Sequence, residues 1–277
     1  MTLPTGAISF NNINVELGRS GTAEFSINDT TGRKLASAGS TGQSVSAGTA
    51  ANIDNYRGHA RTLSSVTGSP YNINVLTLVA GNYATGKTWS TVTVDTGAVV
   101  GSTSTGAYAF TANGNTGDII DLVNNGTIVG AGGNGGTRSG GAGAAGGPAL
   151  NAAYPVSVTN NGAIWGGGGG GGAGNDGGDG SKYPAFVGGG GGGGGAGQTA
   201  GAGGANGGSA GTLTTGGGRG APGGTAGAGG VGGGPGLAGA GGANGSAPGA
   251  AGYYVSSNGN VTWVANGDGG GGGGGLQ

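Results

Sequence analysis

Cysteine is absent from the 277 residues, which excludes a disulfide scaffold and a thiolate metal site and leaves the redox compartment open. Charge is scarce too: 9 basic and 10 acidic residues give a net charge of −1, so neither a phosphate backbone nor an anionic membrane is indicated as a partner. No stretch approaches the roughly 20 apolar residues of a spanning helix. Met1-Thr2-Leu3-Pro4-Thr5-Gly6 has neither the basic nor the apolar segment of a secretory signal, so folding in the cytosol of the producing cell is expected. Proline is sparse and the glycines keep no strict every-third phase, which excludes a collagen triple helix.

Signals for chemistry are equally thin. His59, the single histidine, sits beside Arg57 and Arg61 without a Cys- or Ser-centred motif, and reads as a loop or interface residue rather than part of a triad. Asp176 and Asp179 offer hard oxygens of the kind calcium takes, but their spacing departs from an EF-hand loop, and no metal is assigned. As a pair of glycosidase acids they lack a cleft and sugar-stacking walls. Matches to G-x-G follow from composition, and no helix follows them as a phosphate loop requires. The expectation is a non-enzyme without a cofactor.

What is present is glycine, 82 residues of it. From Gly126 onward it dominates, with unbroken runs at Gly166–Gly172 and Gly188–Gly195. The spacers are mostly Ala, Ser, Thr and Asn, from which no ordinary side-chain core can be built. Glycine loses the most backbone freedom on folding, about 1–2 kcal/mol per fixed residue, so disorder is the first reading. It fits poorly, because disordered segments are usually rich in charge or proline. Here the charges after Asn125 are Arg138, Asp176, Asp179, Lys182, Arg219 and Asp268, and Trp165, Trp263, Tyr253 and Tyr254 also occur.

The ordered alternative is a bundle of left-handed threefold strands of the polyglycine II type, extended like polyproline II at about 3.1 Å per residue. Without Cβ atoms, neighbouring strands approach closely enough for N–H and C=O groups to bond in three directions. Each bond contributes about 0.5–1.5 kcal/mol net. Interior positions are then expected to be Gly, with Ala, Ser, Asn and Thr on outer faces and turns.

Three regions are expected, in a mainly β or irregular fold. In Met1–Ser69, Ile8, Phe10, Ile13, Val15 and Leu17 read as a strand with a bulge, and Ala23, Phe25 and Ile27 as another. Asn28-Asp29-Thr30 can cap a helix through Thr31–Ala38. Pro70–Asn125 reads as an antiparallel β connector, with alternation at Tyr71–Val79, Val92/Val94 and Tyr108/Phe110, and turns at Gly81-Asn82, Gly86-Lys87, Thr96-Gly97 and Asn113-Gly114. The third region, 118–277, holds a loose repeat. Ile119–Gly130 is echoed by Val156–Gly166 and more weakly by Tyr254–Trp263, each read as strand, Asn-Gly turn, strand. These hairpins would form a β base for the glycine strands, with Trp165 and Trp263 buried at the junction.

Between the glycine runs lie irregular segments: Thr137-Arg138-Ser139, Pro148–Tyr154, Ala173–Val187, Thr212–Pro222 and Asn244–Pro248. They are expected as loops at strand ends, and a rigid platform presenting irregular loops suits binding. Tyr183 and Phe186, flanking Pro184, are either exposed anchors or packing under the loop; exposure is favoured, since a coreless platform offers few neighbours. Arg138, Lys182 and Arg219 serve either as partners for acidic groups or as solubilising charges.

The sequence NNGAIWGGGGGGG at Asn160–Gly172, the alternation of glycine motifs with irregular segments, Ser209-Ala210-Gly211-Thr212-Leu213, and Ala250-Ala251-Gly252-Tyr253-Tyr254 followed by Thr262-Trp263 resemble the distal long-tail-fibre adhesin of T-even-type bacteriophages. That resemblance covers about Asp118–Gln277. It implies a polyglycine II sandwich whose distal loops contact an outer-membrane protein or other surface receptor. Carried onto this chain, the receptor-facing candidates are Arg138, Asn175, Asp176, Asp179, Lys182, Tyr183, Pro184, Phe186, Leu213, Arg219 and Asn244. Met1–Asn125 does not resemble the T-even attachment domain; instead Ile8–Ala36 and Ile53–Gly58 resemble a short module of other phage tail-fibre and tail-tip proteins. Both resemblances imply a virion protein made in the host cytoplasm. Residues 1–69 would dock to a tail-fibre or tail-tip protein, 70–125 connect, and 118–277 bind a host protein or surface glycan. A monomeric cap and a self-trimer both stay open. The competing classes are a tail depolymerase acting on capsule or O-antigen and a purely structural or antifreeze-like glycine protein.

Overall fold

The computed structural model describes residues 2–3, 5–24, 30–38, 58–137, 141–176, 194–222, 226–243 and 246–269. The β part is a parallel solenoid. Its rungs are β1 (Ala60–Val66) with β2 (Ile73–Asn74); β3 (Thr88–Val94), β4 (Val99–Gly101) and β5 (Phe110–Ala112); β6 (Ile119–Asn124), β7 (Thr127–Val129) and β8 (Leu150–Ala152); and β9 (Val156–Trp165) with β10 (Val255–Ser256). A last strand, β11 (Val261–Gly269), lies on β9. One sheet runs β1-β3-β6-β9, with β7 and β4 on the second half of β9; the other runs β10-β8-β5-β2.

Like residues stack from rung to rung. Ser64, Val92, Leu122, Val158 and Trp263 form one column, Ile73, Phe110, Leu150 and Val255 a second, and Val100, Ile128 and Ile164 a third. Their apolar members form the core between the sheets. Asn124 and Asn160, fully buried, stack likewise: Asn124 Nδ2 donates to Asn160 Oδ1 at 2.7 Å and to the Ala163 carbonyl at 3.0 Å.

Several expectations are corrected here. Every ladder between named strands is parallel, not antiparallel, because alternation reports which face a side chain takes and not the direction of its neighbour. The Asn-Gly steps at 125–126 and 161–162 close no hairpin. Neither glycine has the positive φ that a two-residue hairpin turn uses; 161–162 lies inside β9, and the Ala98 and Asp95 carbonyls leave no room for a Cβ at Gly126. The first two copies are genuine and pair with one another, but the third is not Tyr254–Trp263, which takes in β10 of the other sheet and a turn at 258–260; it is β11, with Trp263 opposite Val158 and Asn266 opposite Asn160. Residues 75–79 form a short helix, α3 (Val75–Val79), numbered after the two N-terminal helices below. Asn74 caps it, and Val75 and Val79 are buried on one side. The boundary expected at 69/70 falls inside the first rung, and residues 150–165 and 255–269 belong to the solenoid.

The N-terminal region is helical where a strand is expected: α1 (Phe10–Glu16) begins at a Ser9–Asn12 capping box and buries Ile13. Residues 25–29, which include Phe25 and Ile27, lie outside the described residues. The helix expected near Thr31–Ala38 is present as α2 (Thr30–Ser37). These helices pack Ile13, Leu17 and Leu35 around Trp89. There Lys34 pairs with Asp121 at 2.6 Å, and Trp89 Nε1 donates to the same carboxylate at 2.7 Å.

The third rung leaves the solenoid after β7 and returns at β8; the fourth leaves after β9 and returns at β10. Since Val129 is paired with Trp165, the two exits are stacked. The excursions form a glycine-rich layer whose centre is the segment 166–174. Its amides at Gly167, Gly170 and Ala173 donate to Gly147, Ala144 and Gly141; those at Gly169 and Gly172 donate to Leu237 and Ala240; that of Gly168 donates to Ala196, all at 2.8–2.9 Å. Its carbonyls at Gly168 and Gly171 accept from Gly133 and Gly136, at Gly167 and Gly170 from Gly252 and Gly249, and at Gly169 and Gly172 from Gly233 and Gly230, each at 2.8 Å. Partners recur every third residue, and neighbouring segments enclose the central one on all sides.

A Cβ at any position from 166 to 172 would lie well under 3 Å from a neighbouring backbone. Interior Gly is not universal, however. Ala131, Ala173 and Ala196 are buried within the layer, at positions where the strands leave space for a methyl. Glycine is required only where a hydrogen faces a carbonyl.

Gly170→Ala, which drives a methyl into the Asn134 carbonyl, is expected to destabilise by about 3 kcal/mol. Gly241→Ala, whose nearest neighbour would be at 3.5 Å, should stay within about 0.5 kcal/mol of the parent. Thermal unfolding measures both, and equal losses would contradict the close-approach argument.

Candidate functional site

The glycine-rich layer has two ends. At its base, Gly130 N–H donates to the Trp165 carbonyl at 3.0 Å, Ala131 N–H to Ser102 Oγ at 2.8 Å, and Gly132 N–H to Thr199 O at 2.8 Å. Gln198 Nε2 donates to Ser69 O at 3.0 Å and Thr199 Oγ1 to Ser102 O at 2.7 Å, tying a turn of the layer to a solenoid corner. Thr212 and Thr215 close another basal turn, their hydroxyls 2.6 Å apart, and Thr212 O accepts from Gly197.

The far end collects the opposite turns. Following the bonds outward along 166–174 leads to Gly141, Gly227, Ala243 and Ser246. Gly227 N–H donates to Asn175 O at 2.9 Å and Ala243 N–H to Ala228 O at 2.8 Å. Ser246 Oγ reaches Gly141 O at 2.5 Å and Ala173 O at 3.1 Å. A turn at 204–207, with Asn206 at φ 63°, reaches the same end, where Gly207 faces the backbone of Gly220.

The site expectations separate on this axis. Asn175, exposed, and Asp176, half-buried, stand at the far end, as does exposed Arg219. Leu213 does not: its turn is basal, half-buried, at the opposite end of its segment from Arg219. The expected loop Thr212–Pro222 is thus a basal turn followed by a strand that runs to the far end. Arg138, Asp179, Lys182, Tyr183, Pro184, Phe186 and Asn244 lie outside the described residues. Trp165 is half-buried at the junction. Trp263 is half-buried elsewhere, on the end of the solenoid core, because β11 follows β9 in the stack and not the layer.

His59 is buried, with its Nε2 against the Ala38 carbonyl, a packing role. No group of three or more His, Cys, Asp or Glu side chains gathers among the described residues. Sequence reasoning missed Ser102, Gln198, Thr199 and Ser246. Their signal was polarity at the ends of glycine segments, where a side chain can bond a carbonyl the strands leave over.

A second surface lies at the first rung. Thr2 bridges Ala60, Arg61 N–H donates to Glu16 Oε1 at 2.7 Å, and Arg61 Nη1 donates to Leu17 O at 2.6 Å, so the N-terminal residues cover part of the edge of β1. Burial pushes the Glu16 carboxyl above its ordinary range, against the pull of Arg61, and burial likewise lowers the Arg61 guanidinium. Leu63 on the same strand is 64% exposed.

A model of the family described as phage tail fibre adhesin Gp38 matches residues 61–274. No protein with a curated description matches the chain. Among solved structures, the fold is similar to the crystal structure of the gp37-gp38 adhesin tip complex of the bacteriophage S16 long tail fibre, with a TM-score of 0.53 and 24% identity over 76% of this chain and 81% of that one.

Ser246→Ala removes the hydroxyl that holds the far-end carbonyls of Gly141 and Ala173, a loss of about 1 kcal/mol. Faster amide exchange is expected at Ala173, with Gly130 and Gly167 at the base unchanged; an equal change at both ends would mean the hydroxyl serves the whole layer instead.

Proposed function

The chain belongs to the phage tail fibre adhesin Gp38 family, and on that premise we propose that it recognises the host through the far-end turns of a rigid polyglycine II sandwich. The threefold geometry is supported by the period-three recurrence of partners along 166–174. The single observation that carries the functional reading is the segregation of turns. The described turn at 205–207 and Asn175, Asp176, Arg219, Ala243 and Ser246 stand at the end away from the solenoid, while the base is tied down by Gln198 and Thr199.

Affinity then comes from loop side chains held on a platform that has already lost its backbone freedom, so little ordering entropy remains to be lost on binding. Arg138, Asn175, Asp176, Asp179, Lys182, Tyr183, Pro184, Phe186, Arg219 and Asn244 form the receptor-facing set; Leu213, at the base, is withdrawn from it. The receptor is a host outer-membrane protein or a surface glycan. The solenoid's first rung and the N-terminal helices face a phage tail-fibre protein, as gp38 stands with gp37 in the S16 complex, placing the adhesin at the fibre tip in the manner of T-even-type phages. Several copies per virion add avidity.

The role is one of binding, without catalysis. A depolymerase needs clustered carboxylates, and only Asp176, Asp179 and Asp268 follow Asn125.

Purified protein should compete with phage for adsorption to host cells. Tyr183→Ala with Phe186→Ala, and separately Arg138→Ala with Arg219→Ala, are expected to weaken competition at least about tenfold, which corresponds to about 1.4 kcal/mol, whereas Leu213→Ala leaves it intact. Undiminished competition by every far-end variant would overturn the reading. Release of reducing sugar from host polysaccharide would overturn the non-enzymatic assignment.

A further inference from the structure

Eight Asn-Gly steps occur in the chain, at 113, 125, 134, 161, 206, 244, 258 and 266. Such a step can react with itself. The backbone nitrogen of the glycine attacks the asparagine side-chain carbonyl, and glycine, without a Cβ, leaves that approach open. Because the reaction is intramolecular, its rate depends on how freely the two atoms reach an aligned separation of about 3–3.5 Å. A glycine amide held in a ladder, or a side-chain carbonyl held by a donor, must first be released by local opening.

The fold holds most of these steps. Asn113 Oδ1 accepts from Leu76 N–H at 3.3 Å, and Gly114 is wedged against Tyr154 and Ile120. Gly126 N–H donates to Asn124 Oδ1 at 3.2 Å, and Asn125 Oδ1 accepts from Asn161 Nδ2 at 2.9 Å. Asn161-Gly162 lies inside β9, with the Gly126 carbonyl close against Gly162, and Asn266-Gly267 lies inside β11. Gly135 N–H donates to Ala202 O at 2.8 Å while Asn134 Oδ1 accepts from Ala202 N–H at 2.9 Å. Asn258-Gly259 sits in a short 3-10 turn, closed by Asn260 N–H on Ser257 O at 3.0 Å and by Val261 N–H on Asn258 O. Asn244-Gly245 lies outside the described residues. Asn206-Gly207 differs from these. Both residues are exposed, with φ of 63° and 89°, a left-handed turn that asparagine and glycine tolerate. Among the described residues no acceptor meets the Gly207 amide. The peptide joining the pair therefore turns without breaking any strand bond of the layer.

We propose that Asn206 is a self-modifying site, which deamidates through attack by the Gly207 nitrogen and places a carboxylate in a far-end turn. The Gly207 nitrogen bonds to Asn206 Cγ, the Cγ–Nδ2 bond breaks, and Nδ2 leaves as ammonia with the proton that Gly207 gave up. One water then opens the resulting succinimide at either carbonyl, leaving aspartate or isoaspartate at 206. Nothing is oxidised or reduced, and water is the sole co-reactant. Each event takes the chain one charge unit below its formal −1. Gly207 faces the backbone of Gly220, which follows exposed Arg219, so the new carboxylate arises on the turn beside that guanidinium. The isoaspartate form also lengthens the main chain of the turn by one methylene. The bearing of this change on the host rests on the recognition role proposed above; the modification itself does not.

Storage of the full-length protein in mildly alkaline buffer, which favours loss of the Gly207 amide proton, tests this by peptide mapping with mass spectrometry. Conversion at Asn206, as aspartate and isoaspartate together, is expected at least about tenfold faster than at Asn113, Asn125, Asn134 or Asn161, which need local opening first. It should slow in mildly acidic buffer. Conversion at Asn206 no faster than at those four overturns the proposal, as does an intact Asn206 under conditions where the urea-unfolded chain converts there. Competition for host adsorption then compares stored parent protein with stored Asn206→Gly, which keeps the left-handed backbone. A loss confined to the parent supports a charge change at the recognition surface. Equal competition once Asn206 has converted counts against a part for this turn in recognition, while the mapped conversion still supports the modification, so the two failures are told apart.

Discussion

A peptide group in the glycine-rich layer has to find its partner on a neighbouring strand, and the distance to that strand is set by the absence of a Cβ. Along 166–174, donors and acceptors leave the chain in successive directions, so consecutive residues are held by different neighbours. Each bond is worth only about 1 kcal/mol net, comparable with the entropy of fixing the residue that makes it. A single such strand is therefore unstable, and only the enclosed arrangement holds together. This makes the layer cooperative in its cross-section. It also explains why one methyl at Gly170 matters while one at Gly241 does not: the first pushes apart strands that depend on each other, and the second meets its neighbours at ordinary contact distance.

Such a layer is hard to nucleate, since its contacts join segments far apart in sequence and loop closure precedes any gain. The solenoid removes much of that obstacle. Its register stacks Val129 on Trp165, so the first two glycine segments emerge side by side, already at strand spacing and already bonded at Gly130. Its core is conventional, built from columns such as Ile73, Phe110, Leu150 and Val255, and supplies the side-chain burial that the layer lacks. The buried Asn124–Asn160 pair secures the corner just before the exit, since a one-residue slip would leave both amides unpaired in the core. Side-chain packing positions the exits, and backbone bonding extends them.

The features that sequence reading captured were those tied to composition and repetition. The glycine runs implied strands joined through their backbones, and the echo of Ile119–Gly130 in Val156–Gly166 marked two rungs. The misreadings share a cause. Alternation at Val92 and Val94 identifies a strand but not its partner, so parallel rungs and antiparallel hairpins look alike until the third copy is seen to be β11, separated from the second by the whole second excursion. Ile13 and Leu17, four apart, carried a helix signal that the neighbouring Val15 obscured. At the site, Arg219 and Leu213 are close in sequence and were grouped as one loop. An extended strand covers about 3 Å per residue, so a handful of residues between them is enough to place them at opposite ends of the layer.

That last geometry bears on how host recognition is built. Because the strands are held mainly by main-chain groups and by the close approach glycine permits, their order depends little on far-end side chains beyond the Ser246 hydroxyl. A conventional loop leans on a core, and changing it disturbs packing below. Here the residues beneath the turns are Gly141, Ala173, Gly227 and Ala243, which present hydrogens and methyls but no shape to which a loop side chain must conform. A turn can therefore change in composition or length while its strand ends remain bonded, as Asn175 and Gly227 are. Rigid support and freedom of loop sequence usually oppose each other. In a layer ordered through its backbone they are the same property, which is the physical reason this architecture suits the recognition role proposed for it.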